Sequence, residues 1–178
     1  MKKFLLLLTF STFWLTGYSQ KLSLARLKIF TTSDVGGISD FLVERDWDYL
    51  PNNPDEVKDD AVRKLVWAFD YKPLEKYALA YLNVLHGNAF GSIVVYEIND
   101  KNIYTEIINA VKNEGATKTS SGVNDKGDIE SKYETKSYKY TFITSPEQHI
   151  ITVVNKEKMQ GGLNDMLKSM QEKYRNQN

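Results

Sequence analysis

The sequence predicts an α+β fold, an antiparallel meander sheet or sheets with a helix before each meander and a C-terminal helix packed on one face. Three observations carry that reading. Several segments alternate apolar and polar residues with a period of two, as half-buried strands do. Between them runs DKNIYTEIINAVKNEG, whose apolar residues recur at helical spacing. The order of these segments also repeats, which suggests two tandem helix-plus-meander halves at residues 38–98 and 103–154.

The first twenty residues, MKKFLLLLTFSTFWLTGYSQ, combine a basic start at Lys2 and Lys3 with an uncharged apolar run from Phe4 to Gly17. Small residues at Gly17 and Ser19 then sit at the −3 and −1 positions of a cleavage site, so residues 1–19 read as a secretory signal peptide. A membrane anchor fits less well, since fourteen helical residues cover about 21 Å of a hydrocarbon core roughly 30 Å thick. The chain has no cysteine, which argues against a lipid anchor and against disulfides. No later segment is long and apolar enough to span a bilayer, so the expected product, residues 20–178, is a soluble exported domain, periplasmic or secreted.

Within it, Leu22, Leu24, Leu27 and Ile29 suggest a short strand or lead-in segment over residues 22–30. A helix fits Ile38 to Arg45, with Ile38, Phe41 and Leu42 on one side. DWDYLPNNPD reads as a strand stopped by prolines, followed by an acidic loop around Asp55 to Asp60. In KLVWAFDY, strict alternation places Leu65, Trp67, Phe69 and Tyr71 on one face. KYALAYLNVL divides into Tyr77, Leu79, Tyr81 and Leu85 on one face and Ala78, Ala80, Leu82 and Val84 on the other. SIVVYEI is apolar on both faces until Glu97, which marks a central or doubly covered strand.

Asp100 is a good N-cap for the next helix, expected from about Lys101 to Asn113, with Ile103, Ile107, Ile108 and Val111 in its stripe and Gly115 placed to end it. SSGVNDKGD then reads as a polar loop, before the extended segments IESKYETK, SYKYTFIT and HIITVV. The chain closes with Met159, Leu163, Met166, Leu167, Met170 and Tyr174 at helical spacing. They predict a C-terminal amphipathic helix over about residues 162–175, docked on the protein's own sheet.

HGNAFGS, residues 86–92, gathers a histidine, two glycines and a serine between two apolar runs. A phosphate loop needs a helix after it and, in a P-loop, a Gly-Lys-Ser/Thr ending. A nucleophile elbow needs a serine between glycines at a strand-to-helix turn. Here a β-branched strand follows Ser92, and the segment reads as a hairpin turn. His86 and His149 are the only histidines, too few for a zinc site in a chain without cysteine. Asp55, Glu56, Asp59 and Asp60 lack the central glycine of a calcium loop. No catalytic, metal or cofactor set is therefore assigned.

The candidate ligand-binding residues are Tyr81, Tyr138 and Tyr140, as part of a tyrosine-lined sheet face, and Asp46 and Asp48, a carboxylate pair flanking Trp47. In an extended strand the two aspartates would share the face opposite to Trp47. Removing Lys2 and Lys3 leaves 21 basic against 23 acidic residues, a net charge of −2, and no basic patch for nucleic acid. The expected function is a non-catalytic binding protein whose partner is an envelope protein or ligand. The alternative is a carboxylate-dependent hydrolase acting on an envelope or extracellular substrate. Tandem helix-plus-meander units are similar in architecture to small envelope-assembly and inhibitor domains, an analogy that transfers no residue roles.

Overall fold

The computed structural model describes residues 21–51, 62–87 and 91–161. The signal peptide expected over 1–19, the acidic loop expected around 55–60 and the C-terminal helix expected over 162–175 lie outside the described residues. Among the described residues, no helix is long and apolar enough to cross a membrane.

Eight strands form one antiparallel sheet. They are β1 (Trp47–Leu50), β2 (Val62–Phe69), β3 (Ala80–Gly87), β4 (Gly91–Ile98), β5 (Thr117–Val123), β6 (Ile129–Glu134), β7 (Tyr138–Thr144) and β8 (His149–Asn155). Their spatial order is β1-β2-β3-β4-β8-β7-β6-β5, so two four-stranded meanders meet where β4 pairs with β8. β4, apolar on both faces, is accordingly one of the two central strands. The segment HGNAFGS is the β3–β4 connection, with Gly87 opposite Gly91 across the hairpin.

Three helices are α1 (Leu24–Phe30), α2 (Val35–Val43) and α3 (Lys101–Asn113). A fourth helical segment starts at residue 156. α1 corrects the short strand or lead-in segment expected over residues 22–30. The Ser23 side chain accepts the Arg26 amide as N-cap, and Leu24, Leu27 and Phe30 bury one stripe with a spacing of three. α2 begins three residues before the expected Ile38, because the Asp34 carboxylate caps the Gly37 amide and outweighs the low helix propensity of Gly36 and Gly37. α3 matches the predicted range and adds Tyr104 to its buried stripe beside Ile107 and Val111.

All three helices pack on one face of the sheet. The core joins Leu27, Phe30, Ile38, Leu42, Ile107 and Val111 from the helices to a single set of alternating strand positions, among them Trp67, Leu82, Tyr96, Tyr140, Phe142 and Ile151. Register aligns these residues in rows: Trp67 lies opposite Leu82, Leu82 opposite Tyr96, Tyr96 opposite Ile151, and Ile151 opposite Phe142. The intervening positions face away from the helices. At the sheet's centre these are Leu85, Ile93, Val95, Ile143, Ile150 and Val154, each half-buried. Their through-sheet neighbours Val94, Tyr96, Ile151 and Val153 are 0% exposed. The contrast shows that only one face is closed by packing among the described residues.

β5 takes Ser120–Val123 out of the polar loop expected at SSGVNDKGD, while residues 124–128 form the turn that joins β5 to β6. Every β5 residue is exposed, and the strand is held at the sheet's edge by pairing to β6 alone, with a register shift between Lys118 and Ser120. An edge strand with neither face buried carries no hydrophobic period to read.

Candidate functional site

The five candidate residues fall in three places. Tyr140 is 1% exposed and belongs to the core, where its hydroxyl donates to Glu114 Oε2 at 3.1 Å. Burial and the Glu114 charge push its phenol well above the ordinary tyrosine range. Tyr138 stacks on Tyr140 at 6.1 Å between centroids, and the Lys28 ammonium lies 4.7 Å from its ring centre. Both tyrosines therefore sit on the helix-covered face, tying α1 and the end of α3 to β7.

Tyr81 sits on the opposite, uncovered face. Opposite it on β4 lies Glu97, and Glu97 lies opposite Ile150 on β8. The Tyr81 hydroxyl donates to the Lys76 carbonyl at 3.3 Å, and partial burial raises its phenol above the ordinary range. Burial also raises the Glu97 carboxyl, countered by the Lys64 charge and by a 2.8 Å hydrogen bond from Asn83 Nδ2. At this upper end of the face a groove of about 220 Å³ is lined by Tyr77, Leu79, Tyr81, Glu97, Asn99 and Gln148 among others. Tyr77 and Leu79 are each 42% exposed, and the Tyr77 hydroxyl accepts from Asn99 Nδ2 at 2.8 Å. The groove thus offers aromatic and apolar surface beside two carboxyl groups, Glu97 and Glu147, and two amides, a combination suited to holding a peptide or small polar ligand. The sequence placed Tyr77, Leu79 and Tyr81 on one strand face. It did not point to Glu97, Asn99 or Gln148, which converge from other strands and turns.

Asp46 and Asp48 line a wider cleft of about 680 Å³ at the end of β1 and β2, with Trp47, Phe69, Asp70 and Tyr71. The predicted alternation does not extend to Asp46. It precedes β1 and takes a positive φ of 61°, which aspartate tolerates better than most residues. Asp70, on the other side of the cleft, has φ 52° and accepts a 2.9 Å hydrogen bond from Lys72 Nζ. A third carboxylate therefore joins the predicted pair through the β1–β2 pairing of Trp47 with Phe69, a contact between segments that local spacing does not encode.

The two histidines lie at opposite ends of the sheet. His86 Nδ1 and Ser92 Oγ are 2.9 Å apart beside the β3–β4 hairpin. His149 stacks on Tyr104 at 4.4 Å at the other end, beside Ile98. Among the described residues, no group of three His, Cys, Asp or Glu side chains is placed to hold a metal ion.

Compared with known proteins, the chain matches no family model, no curated protein and no solved structure.

Proposed function

We propose that this chain is an exported, soluble, non-catalytic protein that binds an envelope protein or ligand through the upper end of its uncovered sheet face. The observation that carries this reading is the Tyr77–Tyr81–Glu97 groove. Its aromatic side chains remain partly exposed where no helix covers the sheet. Export rests on the signal-like residues 1–19, and the absence of cysteine suits a domain held together by its core alone. In this reading residues 38–98 and 103–154 are tandem helix-plus-meander halves. Their last strands, β4 and β8, lie side by side, and the remaining strands run outward in matching order. An amphipathic helix over 162–175 completes the chain.

The test is recovery of the tagged mature protein from its native envelope, followed by mass spectrometry of what accompanies it. The expected result is one partner in stoichiometric amount. A solitary protein counts against the binding reading.

A second reading, a carboxylate-dependent hydrolase, draws on the cleft that gathers Asp46, Asp48 and Asp70 around Trp47. Aspartate-to-asparagine substitutions at these three positions test it. If hydrolysis of envelope glycans or peptides by the wild type is unchanged in the triple variant, the hydrolase reading is lost.

A further inference from the structure

Taking the groove at Tyr77, Tyr81 and Glu97 as the binding site proposed above, we infer that it receives a cationic side chain, lysine or arginine, from a protein partner.

The place of Glu97 is the first observation. The three strands β3, β4 and β8 run AYLNVLHG, GSIVVYEI and HIITVVN, and Glu97 is their only Asp, Glu, Lys or Arg. On the uncovered face its neighbours across the strands are Tyr81 and Ile150, and Val95 precedes it on the same side of β4. A carboxylate on so apolar and half-buried a surface is costly unless its charge is compensated. Within the chain the compensation is partial. Asn83 Nδ2 donates to Oε1 at 2.8 Å, and Lys64, opposite Leu85 toward the other end of β3, acts at longer range. Among the described residues no ammonium or guanidinium group stands within ion-pair distance of Glu97 or of Glu147, the second carboxylate of the groove.

The balance of donors and acceptors is the second. The Tyr81 hydroxyl is spent on the Lys76 carbonyl, an Asn99 N–H on the Tyr77 oxygen, and an Asn83 N–H on Glu97 Oε1. Glu97 Oε2 and both oxygens of Glu147 are left as acceptors, which a donor-rich cation satisfies and an anion does not. Lys76 is the one cation of the lining. It is exposed and pairs with neither carboxylate, so two negative charges stand against one positive.

The apolar lining is the third. The Tyr77 and Tyr81 rings offer the aromatic surface that attracts an ammonium or guanidinium group, worth most where water is partly excluded. Leu79, exposed beside them, matches the alkyl stem that carries the charge of lysine or arginine.

The probes are acetylated, amidated pentapeptides, alanine-leucine-X-leucine-alanine, with X arginine, citrulline or glutamate. Citrulline keeps the shape of arginine without its charge. Binding to the mature protein is followed through the backbone amide resonances of Leu79, Tyr81, Asn99 and Gln148. The arginine peptide is expected to shift them saturably and to bind about tenfold or more tighter than the citrulline peptide, a difference that Glu97→Gln removes. Glutamine at 97 can still accept from Asn83, so the substitution spares that bond. If Glu97→Gln fails to fold, Glu147→Gln at the exposed position is expected to weaken the arginine peptide severalfold. Equal binding of the arginine and citrulline peptides overturns the inference and leaves the groove a binding site. So does an unchanged affinity in the folded Glu97→Gln protein. Ethylguanidinium binding as tightly as the arginine peptide assigns the groove to a small cation and overturns the assignment to a protein partner. If no peptide shifts the groove resonances, the cationic assignment falls, and recovery of a partner from the envelope then decides the binding reading separately.

Discussion

The Tyr140 hydroxyl donates to Glu114 Oε2 at 3.1 Å, and Lys28 Nζ donates to both oxygens of the same carboxylate, at 2.9 Å to Oε1 and 3.1 Å to Oε2. One acidic residue at the end of α3 therefore joins a core tyrosine of β7 to a lysine of α1. Tyr140→Phe keeps the ring in the core and removes only the hydroxyl. Glu114 is partly exposed and keeps Lys28, so the expected loss is about 1 kcal/mol of unfolding free energy. Urea denaturation of the two proteins measures it. An unchanged midpoint shows that water replaces the phenol without loss.

Stability is expected to fall on mild acidification through His149. Burial and the Lys101 charge disfavour its imidazolium, so its pKa in the fold lies below the ordinary 6.5. As pH drops, the unfolded chain takes up the proton first. The His149 contribution is therefore complete above about pH 6.5 and is lost as pH falls through the lower folded-state value. His149→Phe retains a ring against Tyr104 and cannot titrate. Melting temperatures taken between about pH 7.5 and 5 should fall less steeply for this variant than for the wild type.

Gly91 and Gly122 should respond oppositely to alanine. Gly91 has a φ of 73° and faces Lys158 Cβ and the Thr31 carbonyl, so a methyl group meets both backbone strain and a close contact. Gly91→Ala is expected to cost about 1–2 kcal/mol. A Cβ at Gly122 meets nothing within 4 Å, and its substitution is expected to be neutral or slightly stabilising. Denaturant midpoints of the two variants, measured together, provide the comparison.

The fold was legible wherever one side of an element is buried. Trp67 and Phe69, Leu82 and Val84, and Ile107 and Val111 announce their faces by spacing, and all are buried. It was illegible where that period is missing or ambiguous. In β5 neither face is buried, so its SSGV reads as part of a loop. In α1, Leu22 and Leu24 mimic a strand's alternation, and only the Ser23 cap together with the Leu24, Leu27 and Phe30 stripe resolves the choice. The candidate tyrosines share strand alternation, yet alternation does not say which face the helices cover. Tyr140 and Tyr81 consequently lie on opposite sides of one sheet. Glu97 and Gln148 come to the groove through strand pairing across the sheet's centre, information that no local window contains.

The groove at Tyr81 is proposed to bind a partner. The most direct measurement is the affinity of the co-purified partner for Tyr81→Ala, with Val123→Ala on the distant β5 edge as reference. A loss of about tenfold or more is expected for Tyr81→Ala, the weakening that follows when a central aromatic contact is removed, and no change for Val123→Ala. Equal affinity of both variants and the wild type, with all three equally folded by circular dichroism, would contradict it.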